Sequence, residues 1–460
     1  MARCRVVNRS CDWLELPLPL HHSKAVSRIV DGLQNSLRVL RNRNDIMLRL
    51  AMAFLVTGSV LLSNVASAEN WSRFRGDNGE GVSSQKGIPT SWSDGNYKWN
   101  IELPGVGHAA PIVWGDNLFV TAATDHGFIR RLLCLDPATG KEKWQREIAM
   151  SDSHKHSKSS WASSTPVTDG KLVYVAFADI ERYLVSAYDF DGNLEWRRSL
   201  GEFESQHNLG VSLCLFEDML ICPNDQKGPS RIVALDTATG RTRWSTVRDQ
   251  RETSYATPIV VPDKNGKPQL ICVNGNVGIT SLNPYTGVMN WQGQKFPLRT
   301  VASPVYGNGL LIASCGQGGR YGVQQMAVSL DGDLDENGRA KIVWERTKVI
   351  PYVPTPVVYD GHLYEWSDEG ICACVNLSDG KDVWIKRLGG NYSGSPICID
   401  GKLYCIAEDG EVVVIAASPE FKEFGRTPLG DPSHSTPAVA NGRLFLRTFH
   451  RLACLEAQDK

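Results

Sequence analysis

The stretch YKWNIELPG, residues 97–105, decides the fold, because it reads as the end of a unit whose beginning is nowhere upstream. Tyr97, Trp99, Ile101 and Leu103 alternate with polar residues as a half-buried strand should, and Pro104-Gly105 stops it. The same Trp-centred strand closes a much longer unit further along. It recurs as KEKWQREI at 141–148, RTRWSTV at 241–247 and KDVWIKRLG at 381–389.

That longer unit repeats about every 45 residues. STPVTDGKLVYVAFADIERYLVSAYDFDGNLEW (164–196) and TPVVYDGHLYEWSDEGICACVNLSDGKDVW (355–384) share one plan. Each has a Pro-led apolar strand, a turn at Asp-Gly, two more strands, and a last strand carrying Trp. The Trp positions are Trp99, Trp144, Trp196, Trp244, Trp291, Trp344 and Trp384, with Phe424 in the eighth place. The leading positions are Pro111, Pro166, Leu213, Pro258, Pro304, Pro356, Pro396 and Pro437. Asp-Gly or Asn-Gly at 169–170, 308–309, 360–361, 400–401 and 441–442 suits tight hairpins that need positive φ. Each unit therefore reads as four antiparallel strands, and its Trp as the ring that docks one sheet on its neighbour.

The last unit, HSTPAVANGRLFLRTFHRLACLEA (434–457), has only three strands. Its missing Trp strand is the orphan at 97–103. A ring of sheets that borrows a strand from the opposite end of the chain closes without exposed edges. The expectation is an all-β, eight-bladed β-propeller over 97–460, with 69–96 as a lead-in.

The rest of the chain excludes several classes. Residues 1–68 carry nine Lys/Arg against four Asp/Glu, and the remaining 392 residues carry 40 against 46. With no basic domain, nucleic acid is not an expected partner. From Met47 the run MLRLAMAFLVTGSVLLSNVASAEN has an early Arg49, an apolar stretch from Leu50 to Leu62, and Ala66-Ser67-Ala68 as a cleavage site. Residues 47–68 are read as a signal peptide, with a retained membrane anchor as the alternative and no Cys at the cut for lipidation. Residues 1–46 are read as an extension or a misassigned start. A periplasmic or secreted monomer with no span in the mature chain is expected. Ten cysteines follow Ala68, most inside apolar strands, where Cys behaves as a small hydrophobe. Cys214 with Cys222, and Cys398 with Cys405, flank hairpins and are candidates for pairing. There is no P-loop, G-x-S-x-G, H-E-x-x-H or dinucleotide fingerprint.

LDPATGKEKW (135–144) and LDTATGRTRW (235–244) resemble the repeats of quinoprotein-like β-propellers, over about 97–457, and NWSRFRGDNGEGVS (70–83) looks like the lead-in of an exported bacterial subgroup. The resemblance extends to the non-catalytic propeller of the outer-membrane assembly machinery. In the alcohol dehydrogenases of the family it implies pyrroloquinoline quinone over the channel, with Ca²⁺, a carboxylate base and two adjacent cysteines joined as a disulfide. Adjacent cysteines do not occur here, Cys372-Ala-Cys374 being the nearest approach, and no Asp matches the base by motif.

Pockets form where strand-entry loops converge. The residues before the leading positions supply His108, Trp161, Ser163, His207, Tyr255, Tyr392 and His434 as candidate ligand-binding side chains at the channel mouth, set against plain loop residues. Asp152-Ser-His154-Lys-His156-Ser-Lys158 is a polar loop that offers imidazoles to a metal or simply to solvent. Asp331, Asp333, Asp335 and Asn337 resemble a weak calcium loop, against an Asp/Gly-rich hairpin. Arg73, Arg75 and Asp77 are expected to pin the lead-in to the propeller surface. The function expected is an exported, non-catalytic binding or scaffold module that recognises a protein, peptide or polymer of the cell envelope at its channel face. The alternatives are a quinone-dependent alcohol or sugar dehydrogenase with pyrroloquinoline quinone and Ca²⁺, and an envelope sensor domain.

Overall fold

The computed structural model describes residues 69–77, 79–249, 252–317, 323–330 and 334–458. The signal peptide at 47–68, the extension at 1–46, and Asp331 and Asp333 lie outside the described residues. Among the described residues eight sheets of four strands are formed, seven of them in sequence order from the channel outward and the eighth completed by a strand from the other end of the chain, and one sheet gains a fifth strand. Blade 1 is Ile112–Trp114, Asn117–Thr124, Ile129–Leu135 and Glu142–Ala149. Blades 2 to 7 follow over 167–199, 214–248, 259–292, 305–346, 357–387 and 397–428. In blade 8, Ala438–Ala440, Arg443–Arg447 and Arg451–Glu456 are completed by Tyr97–Glu102, with Trp99 opposite Cys454. The orphan strand is the clasp of an eight-bladed propeller.

Alternation dictates this packing. Middle strands such as Met219–Asn224 are buried along their whole length, because both faces meet a neighbouring sheet. Outer strands such as Leu194–Ser199 bury little except their Trp. In all eight sheets the register shifts beside the outer strand. This bulge re-aims the Trp sideways onto the next blade. There the repeat motif receives it. Trp196 Nε1 donates to the Thr237 carbonyl at 2.8 Å, and Trp99, Trp144, Trp244, Trp344 and Trp384 donate to the carbonyls of Pro137, Phe190, Pro284, Leu377 and Ser418. The ring lies flat on the turn glycine: at Gly240, where φ is +65°, a Cβ would stand 2.6 Å from Trp196. The Thr-Gly of the motif is thus the floor on which the preceding blade's indole rests. Trp291 departs from the pattern and donates to Gln269 Oε1 of its own sheet at 2.7 Å.

Phe424 does not take the eighth Trp place. Gly425 pairs with Val414 as Trp384 pairs with Cys374, so Phe424 falls on the bulge. The reason is the ring closure itself. The fourth strand of blade 8 arrives from the other end of the chain, so no motif turn exists there to receive an indole. The lead-in runs through that space instead: a Cβ on Gly425 would meet the Thr90 carbonyl oxygen at 2.7 Å.

The ten cysteines among the described residues are buried, and no two of them are joined as a disulfide. Cys214 stands opposite Ile221, which turns it to the other face from Cys222, and Cys398 stands opposite Leu403, two residues short of Cys405. Neither candidate pair forms.

Replacing Gly240 by Ala is expected to cost about 1–3 kcal/mol, because a left-handed backbone and a collision with Trp196 coincide. Trp196→Phe, which removes the closer donor of the Thr237 carbonyl and leaves it only the Tyr174 hydroxyl at 3.4 Å, is expected to cost about 1 kcal/mol. Urea denaturation of both variants checks this, and unchanged midpoints would contradict it.

Candidate functional site

Each inner strand is preceded by a small residue facing the channel: Ala110, Thr165, Ser212, Thr257, Ser303, Thr355, Ser395 and Thr436. Their hydroxyls form a belt. The Ala110 N–H donates to Thr165 Oγ1, Thr165 to Ser212, Ser212 to Thr257, Thr257 to Ser303, Ser303 to Thr355, Thr355 to Ser395 and Ser395 to Thr436, at 2.9–3.1 Å. Only Ala110 supplies no hydroxyl, so seven of the eight links are made. These residues were legible as a Ser/Thr before each leading position, a signal overshadowed by the Pro that follows.

Below the belt the lead-in closes the channel. Arg75 is 1% exposed and donates to the carbonyls of Thr355 (2.5 Å), Pro356 (2.7 Å) and Pro396 (3.2 Å). Arg73 donates to the Pro258 carbonyl at 2.8 Å and to Cys214 Sγ at 3.1 Å. The two arginines enter the channel rather than pinning the surface, where they saturate carbonyls that the inner strands leave unpaired. Asp77 does not reach the propeller at all; it accepts from Ser72 Oγ within the lead-in at 2.7 Å. Phe74, between the arginines, is the floor of a blind cavity of about 900 Å³.

Of the seven mouth candidates, His108, Ser163, His207, Tyr255 and His434 line this cavity. Trp161 stands beside it and donates from Nε1 to the Ser153 carbonyl at 2.9 Å. Tyr392 is in the core, 1% exposed and edge-on to Trp366 at 5.3 Å between ring centres. The imidazoles gather in two groups. His108 stacks on Phe449 and meets His434 edge-on, at 4.8 and 4.6 Å. His207 lies 4.6 Å from the His156 ring and accepts from Arg299 Nη1 at 3.0 Å. Burial disfavours the charged form of all three lining candidates: it drives His108 well below its ordinary value and also lowers His434, while burial and the Arg299 guanidinium push His207 down to about 4. The opposite wall is apolar, from Val301, Val349, Ile350, Tyr352 and Val353. Val349 has φ of +52°, a conformation that a β-branched side chain holds only when its surroundings impose it.

Residues 151–160, the polar His-bearing loop, pass across the mouth as a strap. Among the described residues no three His, Cys, Asp or Glu side chains meet to hold a metal. Asp335 of the suggested calcium loop caps its own hairpin instead, accepting from the N–H groups of Asn337 and Arg339 at 2.9 Å. Cys372 and Cys374 are free, buried and in the core of one strand. Among the described residues there are neither adjacent cysteines nor three convergent His, Cys, Asp or Glu side chains of the kind that would hold a calcium-bound quinone.

Comparison with known proteins gives a consistent picture. The sequence profile of the family described as outer membrane protein assembly factor BamB matches residues 77–202, 130–386 and 333–420. The Escherichia coli (strain K12) outer membrane protein assembly factor BamB is 28% identical over 173 residues, 37% of this chain and 39% of that protein. The crystal structure of BamB from Moraxella catarrhalis superposes with a TM-score of 0.57 at 14% identity, over 79% of this chain and 97% of that one. A quinohemoprotein alcohol dehydrogenase from Comamonas testosteroni superposes with a TM-score of 0.61 at 13% identity, over 88% and 82%. At such identities these structures speak for the fold alone.

A histidine depressed in the folded state costs stability as pH falls, because the unfolded chain takes up a proton that the folded chain refuses. Stability is therefore expected to drop as pH falls from about 6.5 towards 4, the window between His207's ordinary and folded values. His207→Gln should flatten that part of the drop. Urea titrations at pH 7, 6 and 5 check it, and parallel curves for the two proteins would contradict it.

Proposed function

The chain belongs to the family of the outer membrane protein assembly factor BamB, and from that membership we propose that it is an exported, non-catalytic binding propeller of the cell envelope. On this reading residues 47–68 direct export to the periplasm or beyond, and the mature propeller presents its cavity mouth to a polypeptide partner. Among the described residues no helix is long and apolar enough to cross a membrane.

The observation that carries the reading is the character of the cavity. It is closed below by Arg73, Phe74 and Arg75, and its lining joins hydroxyls, imidazoles, one apolar wall and the charged side chains of Lys158, Arg299, Lys348, Asp368 and Glu369. Such a lining offers hydrogen bonds to main-chain groups and area to side chains, and it is of ligand-binding size. Among the described residues it brings together no three His, Cys, Asp or Glu side chains placed to hold a metal for an assisted oxidation. The chain's fold likeness to alcohol dehydrogenases concerns the scaffold, and function resides in the site.

A photoreactive amino acid at Gln206, on the mouth, tests the proposal in intact cells, with the same group at Val383 on the outer rim as control. The proposal expects a discrete polypeptide adduct from position 206 and none from 383. Equal labelling at both positions would count against it. So would calcium-dependent binding of pyrroloquinoline quinone in a calorimetric titration.

A further inference from the structure

The strap at 151–160 has no regular secondary structure, yet it is held at several points around the mouth. Near its start, Asn208 Nδ2 donates to Ser153 Oγ at 2.8 Å, and Lys155 lies over the Trp161 ring at 4.8 Å. Its far end reaches across to blades 7 and 8. Lys158 Nζ pairs with Glu408 at 2.9 Å, and the Lys158 carbonyl accepts from His434 Nδ1 at 3.0 Å.

The wall that receives Lys158 is built for a cation. Blades 6 and 7 carry acidic pairs in corresponding turns, Asp368-Glu369 before Gly370 and Glu408-Asp409 before Gly410. Glu408 is positioned by Ser393, whose hydroxyl donates to Oε1 at 2.6 Å. Asp368 accepts from the N–H of Tyr352 at 2.7 Å. The Glu408 side chain is 19% exposed, whereas that of Lys158 is 53% exposed. The acid is thus fixed and largely enclosed, while the cation comes from a half-exposed loop whose ion pair is of the weak, displaceable kind. His434 and Glu408 together read two features of one residue, a main-chain carbonyl and the ammonium at the end of its side chain.

We propose that this corner of the mouth is a recognition site for a lysine on an extended polypeptide segment of a partner, and that the strap occupies it as a built-in competitor. Glu408 takes the ammonium, His434 donates to the segment's carbonyl, and the apolar wall of Val349, Ile350 and Val353 accommodates flanking side chains. The inference rests on the binding-module reading above and names its partner's chemistry. An intramolecular occupant competes at a high effective concentration, so the free site is expected to be masked until a partner outcompetes it.

The test is fluorescence anisotropy with a labelled peptide of the strap's own sequence, SDSHKHSKSS, titrated with the full-length protein. Lys158→Ala should bind the peptide about tenfold more tightly than the unsubstituted protein, because the competing ammonium is gone from Glu408 and only the strap's carbonyl remains, at His434. Glu408→Gln added to Lys158→Ala should remove that gain, and raised salt should weaken binding. A peptide with alanine at the position of Lys158 should fail on the Lys158→Ala protein, an arm that needs no second protein variant. Equal affinity of the unsubstituted and Lys158→Ala proteins, or undiminished binding of the alanine peptide, would overturn the proposal. If the peptide fails while position 206 still labels a polypeptide in cells, the lysine assignment falls and the binding-module reading stands. If both fail, both fall.

Discussion

The hydroxyl handed from each inner strand to the backbone of its neighbour is the interaction on which the rest of this structure depends. A propeller's inner strands converge on a channel, where backbone N–H groups face neither a ladder partner nor a packed core. Here seven of them are satisfied by the Ser or Thr of the next blade, from the Ala110 N–H to the Thr436 hydroxyl. A buried donor left unpaired costs about 1–3 kcal/mol, so the belt sets both the spacing of the blades and the polarity of the channel wall. The same hydroxyls line the cavity and give its wall polar atoms at this height.

The outer circumference is held by a different device, the indole on the glycine turn. Both devices meet their limit at the seam where the two ends of the chain join. Blade 8 has no motif turn, so blade 7 has no Trp to place on one, and Gly425 admits the lead-in instead. The lead-in also pairs Val82 with Cys398 as an extra parallel strand on blade 7 and sends Arg73 and Arg75 into the channel. One short segment thus fills the seam and stops the channel. The mouth opposite is the remaining face of the cavity, and the strap lies across it.

Blade count, closure by 97–103 and the docking Trp residues other than Trp291 were legible because each leaves a periodic mark in the sequence. The exceptions show what periodicity misses. Phe424 looks like the eighth Trp by position, but the bulge shifts the register by one, and only the pairing of Gly425 with Val414 reveals it. His108, His207 and His434 were legible at the mouth because strand-entry loops must converge there. Tyr392 follows the same rule of position, yet turns into the core against Trp366, since a loop's direction is set by packing that no local pattern records. Arg73 and Arg75 read as pins on the propeller surface because a buried guanidinium is rare; four of the six carbonyls that make their burial tolerable come from residues 185 to 321 positions away. The contact of Lys158 with Glu408 spans 250 residues and is invisible for the same reason.

The mouth is thus a rigid opening defined by a belt of seven links, with a weakly held strap above it. Hydrogen–deuterium exchange resolved to single amides measures this most directly. The amides of Thr165, Ser212, Thr257, Ser303, Thr355 and Ser395 are predicted to exchange together at the rate of global unfolding although they border a cavity, while those of the strap exchange orders of magnitude faster. Belt amides that exchange at rates differing from blade to blade, or as fast as the strap, would contradict it.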